Sequence, residues 1–139
     1  MTLKYLLDTN IISEPLRLAP HPNILAQLKK HQDELAIAAV VWHELWFGCR
    51  RLPASARRSA IETYLQQVVA VSMVILPYDE RAAEWHAVER ARLTQIGKTP
   101  AFADGQIAAV AKSNDLTLVT LNLSDYGDFH GLTIKDWRT

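Results

Sequence analysis

Leu35-Ala36-Ile37-Ala38-Ala39-Val40-Val41 is an unbroken run of apolar residues. A surface helix or a strand with one wet face would interrupt such a run with polar residues at a period of about 3.6 or 2. The continuity therefore predicts a strand covered on both faces, as in a parallel sheet between helices. Trp42 to Cys49, which follows, is bulkier and carries a charge at Glu44, so the strand is expected to feed a helix. Upstream, Pro22 to His31 holds Ile24, Leu25 and Leu28 at helical spacing and ends in Lys29 and Lys30, where cations favour the helix dipole. Leu3 to Leu7 is a short, mostly apolar strand that opens onto a loop at Asp8-Thr9-Asn10.

Downstream the alternation continues. Pro53 breaks the chain, and Ala54 to Val69 recovers a helical pattern through Ile61, Leu65 and Val68. Val71 to Leu76 reads as a strand stopped by Pro77. Asp79 is placed to cap a helix reaching about Ile96, with Trp85, Val88 and Leu93 as its apolar stripe and Gly97 as its stop. Ala103 to Lys112 is a second, Ala-rich helix, and Leu116 to Thr120 and Leu132 to Ile134 are closing strands. Helices and strands alternating throughout specify an α/β fold with a parallel sheet.

The 139 residues suit one domain, with no linker and no internal repeat. Hydrophobic residues at 49% and charged residues at 22% exclude intrinsic disorder. Fifteen Lys and Arg balance fifteen Asp and Glu, so polyanion binding requires a local patch. The single cysteine, Cys49, excludes an internal disulfide and a Cys-rich zinc site and suits a reducing compartment. Met1 to Leu7 lacks the apolar run of a signal peptide, and no stretch approaches the ~20 apolar residues that span a bilayer. A cytoplasmic protein without membrane contact is expected.

Open parallel sheets bind ligands beyond the carboxyl ends of their strands. Asp8, Glu44, Asp104, and Asn122 with Asp125 all fall at or near such ends. Carboxylates gathered on one rim repel one another unless a cation neutralises them. Oxygen ligands without a His or Cys cluster suit Mg²⁺ or Mn²⁺. Such ions acidify a bound water and stabilise charge on a leaving oxygen, the chemistry of many nucleases. Two of the acids also have a plainer reading, and Glu44 does not. Asp8 and Asp104 are placed to cap the helical segments that follow them. Glu44 sits among Trp42, Leu45, Trp46 and Phe47, and a carboxylate buried there needs a partner.

Other motifs fail on particular positions. His43-Glu44 begins a zinc-protease motif, but Phe47 stands where the second His belongs. Asp8-Thr9-Asn10 lacks the second Asp of a haloacid-dehalogenase loop, and a receiver domain lacks its Lys after LTLVT. There is no P-loop or dinucleotide-binding glycine motif, and the five histidines show no ligand spacing.

LLDTNIISEPLR, VVWHELWFG, ADGQIAAVA, LVTLNLSDY and LTIKDW, in this order, resemble a PIN-domain ribonuclease of the VapC toxin type. The resemblance covers nearly the whole chain. It implies a three-layer α/β/α sandwich with a mostly parallel central sheet, spanning 1–139 as a single PIN domain. It also implies an endoribonuclease that hydrolyses RNA phosphodiester bonds, dimerises, and is neutralised by an antitoxin whose C-terminal segment crosses the active-site groove. By position, Asp8 and Asp104 match the metal-holding aspartates, Glu44 the catalytic glutamate and Thr120 a supporting hydroxyl. The departure is at the fourth acid: Asn122 stands where some relatives have Asp, and Asp125 lies three residues on. Trp42, Trp46, Phe47, Leu52 and Tyr64 are candidates for the antitoxin groove, with core packing as the alternative. Arg50, Arg51, Arg57 and Arg58 are candidates for a phosphate-binding edge, with a solvated face as the alternative. The competing functional class is a catalytically weak module that keeps the fold and binds RNA or a protein.

Overall fold

The computed structural model describes residues 2–139; Met1, the first residue of the expected domain, lies outside them. The strands are β1 (Tyr5–Leu7), β2 (Leu35–Ala38), β3 (Val74–Leu76), β4 (Thr117–Val119) and β5 (Ile134–Lys135). They form one sheet in the order β3-β2-β1-β4-β5, and every pairing is parallel. All four residues of β2 are buried, as are Leu6 and Leu7 on β1 and Leu118 and Val119 on β4. The continuous apolar run of β2 thus marks a strand covered on both faces, whereas β3, equally apolar, is an edge strand with Val74 and Ile75 exposed.

The helices are α1 (Thr9–Ser13), which passes into a 3-10 turn at Glu14–Leu16, then α2 (Pro22–Lys30) and α3 (Ala39–Arg50). Next come α4 (Ala56–Tyr64), a π-helical turn at Leu65–Val69, and α5 (Ala70–Ser72). The remainder are α6 (Glu80–Gln95), α7 (Phe102–Ser113) and α8 (Leu123–Tyr126). From β1 the chain steps outward to β2 and β3, then crosses back to β4 and β5. Right-handed crossovers send the helices of these two excursions to opposite faces, giving three layers. The reversal lies between β1 and β4, and it opens a crevice at their carboxyl ends.

Several expected boundaries move. The β2 strand ends at Ala38, and Val40 and Val41 are already helical. Val41, Leu45 and Cys49 form the buried row of α3, so the apolar run is shared by a strand and a helix. Val71 belongs to α5, and the strand expected from it starts at Val74. The last strand is shifted to Ile134–Lys135. The expected stripe of α6 is also wrong in part: Val88 is 64% exposed, and the buried row is Ala82, His86, Glu89 and Leu93. Two of those four are polar, so a search for apolar periodicity selects a neighbouring face. His86 accommodates its burial through Tyr78, whose hydroxyl lies 2.8 Å from Nδ1. Its ring occupies the space that a Cβ at Gly105 would need, so the glycine lets α6 and α7 approach closely. The short helices α1 and α8 carry too few residues to show a period, and α1 is the helical segment that the capping reading of Asp8 anticipates.

Candidate active site

Asp8 follows β1 directly, and its backbone N–H donates to the Val119 carbonyl at 2.9 Å, which fixes it at the crevice. Its side chain, in a residue 6% exposed, does two things. Oδ1 accepts from the Thr9 N–H at 2.8 Å and so caps α1. Oδ2 accepts from the Thr120 hydroxyl at 2.8 Å, just past β4. The Thr120 oxygen in turn accepts from the Asn122 N–H at 3.0 Å, which aims its proton at Asp8. Asp8 therefore caps α1 with one oxygen and still presents its carboxylate at the ends of β1 and β4, so the capping reading does not compete with the site reading.

Asp104 does not cap α7, whose N-cap is Ala101; it lies in the first turn, where the helix dipole favours a carboxylate. Its Oδ1 is 3.3 Å from the hydroxyl of Tyr126, which is also 3.3 Å from Asp8 Oδ2. The two aspartates, 96 positions apart in the chain, thus share one phenol at the crevice between β1 and β4. Burial raises the Asp104 carboxyl above its ordinary range, and the charges of Asp125, Asp8 and Glu44 raise it further, against the Tyr126 hydrogen bond that lowers it. Burial, with both aspartates beside it, drives the Tyr126 hydroxyl far upward, so it remains a proton donor.

Glu44, on α3, is half-buried and accepts from the Thr9 hydroxyl through Oε2 at 2.7 Å. Thr9 therefore gives its N–H to one acid and its hydroxyl to another. Asp125 lies in the first turn of α8 and is exposed. Its charge is second only to burial in raising Asp104, so it faces the site electrostatically. Asn122 precedes α8, is exposed, and its side chain makes no capping bond.

Among the described residues no Lys, Arg or His pairs with Asp8, Glu44, Asp104 or Asp125. Nor do any three His, Cys, Asp or Glu side chains among them converge closely enough to cage a cation unaided. That pattern fits a hard divalent ion, since Mg²⁺ is commonly held by one or two carboxylates and completes its shell with water and substrate phosphate. Asp8 and Asp104 are the pair available for it.

Residue reasoning missed two participants, Thr9 and Tyr126. The available signals were the hydroxyl beside Asp8 and a lone aromatic beside Asp125. The aromatic set divides: Trp42, Trp46 and Tyr64 pack on the core, Tyr64 also donating to the Ile12 carbonyl at 2.7 Å. Leu52 is half-buried, whereas Phe47 is 58% exposed with Arg51 over its ring. The arginine edge is partly neutralised, because Glu62 pairs with Arg50 at 2.7 Å and Arg58 at 3.2 Å. Arg51 and Arg57 remain exposed.

Comparison with known proteins matches a family model, the PIN domain, to residues 5–124. The chain is 36% identical to Toxin FitB of Neisseria gonorrhoeae over 127 residues, covering 89% of each chain. It is 32% identical to VapC ribonuclease Y4jK of Sinorhizobium fredii over 123 residues, covering 86% of this chain and 88% of that one. The crystal structure of FitAcB from Neisseria gonorrhoeae superposes with a TM-score of 0.87 at 32% identity, covering 96% of this chain and 97% of the other.

Proposed function

Because the chain belongs to the PIN-domain family, we propose that it is a metal-dependent endoribonuclease, a toxin held in check by a cognate antitoxin, with residues 1–139 as a single domain. The observation that carries the reading is the pairing of Asp8 and Asp104 at the sheet's switch point, with no cation among the described residues paired with them. The family relatives named as a toxin and as a ribonuclease support RNA cleavage and toxicity.

Asp8 and Asp104 would hold Mg²⁺ or Mn²⁺, which supplies an acidified water and charge stabilisation at the phosphate. The chain's own residues prepare that chemistry. Thr9 and Thr120 lock the Asp8 carboxylate in one orientation, so a ligand does not have to be ordered when the ion arrives. Glu44 keeps Oε2 on Thr9, leaving Oε1 to orient a water or accept its proton. Asp125 adds negative charge at the outer rim, which supports it over Asn122 as the fourth residue. Arg51 and Arg57 are the exposed arginines left for phosphate contacts.

A toxin kept in the cell that makes it requires a neutralising partner, and exposed Phe47 offers an antitoxin an apolar anchor on the helix that carries Glu44. Exposed Val68, Val71, Val74 and Ile75 offer apolar surface for a homodimer. Among the described residues no helix is long and apolar enough to cross a membrane.

The test is incubation of the purified protein with total RNA. Cleavage is expected with Mg²⁺ or Mn²⁺ and is expected to stop with EDTA, without a requirement for Zn²⁺. Cleavage undiminished by chelation, or absent with both ions, overturns the reading.

A further inference from the structure

Tyr126 sits on a four-residue helix whose other residues are exposed, yet it is itself 1% exposed. Its ring packs against Phe129, with centroids 6.3 Å apart, and its hydroxyl reaches past β4 into the space between the two aspartates. At 3.3 Å from Asp8 Oδ2 and 3.3 Å from Asp104 Oδ1, one O–H proton serves two acceptors. Both bonds are longer than the 2.8 Å bond that Thr120 makes to the same Asp8 oxygen. A hydroxyl that serves one acid alone would approach it more closely.

A carboxylate offers about four lone-pair sites. On Asp8 one is engaged by the Thr9 N–H and one by the Thr120 hydroxyl, and the Tyr126 hydroxyl takes a third. We propose that Tyr126 is a positioning residue whose hydroxyl bridges Asp8 and Asp104 in the cation-free protein and competes with the divalent ion for their lone pairs. The shared proton places positive charge between two like charges and holds them together while the site is empty. An ion held by these two carboxylates would draw on the same negative charge, so its binding would displace or weaken the bridge. Tyr126 thereby stabilises the empty site and lowers its affinity for the ion. This rests on the reading that Asp8 and Asp104 hold Mg²⁺ or Mn²⁺.

The experiment is calorimetric titration of Mn²⁺ into the parent, Tyr126→Phe and Asp104→Asn, with melts of each in EDTA. Phe keeps the ring and its packing and removes only the hydroxyl. The expected result is roughly fivefold tighter Mn²⁺ binding by Tyr126→Phe, with a lower melting temperature in EDTA. Loss of packing alone would weaken binding, so the sign separates the two roles. Equal or weaker binding by Tyr126→Phe, with the parent binding and Asp104→Asn not, overturns the bridge and leaves the metal site standing. A parent that binds no Mn²⁺, or an Asp104→Asn that binds as well as the parent, removes both. A metal-free check uses the Asp104→Asn/Tyr126→Phe double variant. The loss on removing the hydroxyl is expected to shrink when one charge is already gone, and an undiminished loss refutes the bridge.

Discussion

Glu89 and Asp8 are buried to nearly the same depth, at 5% and 6% exposed, in opposite electrostatic surroundings. Glu89 receives two bonds of 2.9 Å from the Arg92 guanidinium and one of 2.6 Å from the His130 N–H. Arg92 also reaches the Asp128 carbonyl at 2.8 Å, so the pair fastens α6 to the loop after α8. The Arg92 hydrogen bond is the main force holding the Glu89 carboxyl below its ordinary range. At the crevice, neutral donors hold Asp8, its neighbour Asp104 is pushed above the ordinary range, and among the described residues no side-chain cation pairs with either. A buried acid that serves the fold is neutralised by its own chain. Asp8 and its half-buried neighbour Asp104, left with neutral partners, fit the proposed charge from outside.

The largest expected effect tests the functional half of that contrast. Asp104→Asn removes a metal ligand and is expected to lower RNA cleavage roughly 100-fold or more, given the several kcal/mol of charge stabilisation a bound ion supplies. In EDTA the same variant is expected to melt at or above the parent, because a repelled charge is gone. Retained cleavage, or a melt far below the parent, breaks the contrast.

Glu89→Gln tests the structural half. It is expected to cost about 2 kcal/mol in denaturant unfolding, since charge-assisted bonds are lost and Arg92 loses its partner. Cleavage by the folded variant is expected to change little at saturating metal. A variant as stable as the parent would make the clamp irrelevant to folding.

The two variants also respond to pH with opposite signs. The folded Asp104 carboxyl titrates above its ordinary 3.8, so its ionisation destabilises the metal-free protein at neutral pH. That penalty, and the advantage of Asp104→Asn, is expected to fade as pH falls through the raised value towards 3.8. The folded Glu89 carboxyl titrates below its ordinary 4.5, so its contribution is full above 4.5 and lost only as pH falls through the lowered value. The deficit of Glu89→Gln is therefore expected to persist to lower pH than the Asp104→Asn advantage. Melts in EDTA across the acid range check this, and differences of the same sign contradict it.

The smallest effect sharpens the rim. Asp125→Ala is expected to raise the Mn²⁺ concentration for half-maximal cleavage a few-fold, roughly the work of one exposed charge. Asn122→Ala is expected to change it less, because the amide brings only a dipole. The reverse order would move the fourth position to Asn122.

Much of this was legible in the sequence because parallel α/β topology projects strand ends onto one rim. LAIAAVV announced the covered strand, and Asp8 and Thr120 could be placed by following strands to their carboxyl ends. The α6 face was not legible, since His86 and Glu89 are polar residues whose burial depends on Tyr78, Gly105 and His130, all outside the helix, as well as on Arg92 one turn further along it. Tyr126 escaped for a related reason. A four-residue helix has no periodicity, so only the lone aromatic beside Asp125 marks its one buried side chain. Phe47 lies in the same bulky run as Trp42 and Trp46, and only the fold separates it, exposed at the surface, from the two that pack on the core.

The bonds that assemble the site have a kinetic consequence. Asp8 is met by Thr120 and Tyr126, 112 and 118 positions later in the chain. Contacts of such separation form late, after the entropy of closing the intervening chain has been overcome. The first acid synthesised therefore waits for nearly the last, and a nascent chain that has formed only β1, β2 and β3 holds Asp8 and Glu44 without Thr120, Tyr126 or Asp104 to complete the site. Ribosome-bound fragments of the protein are on this account inert towards the RNA around them until β4 docks beside β1.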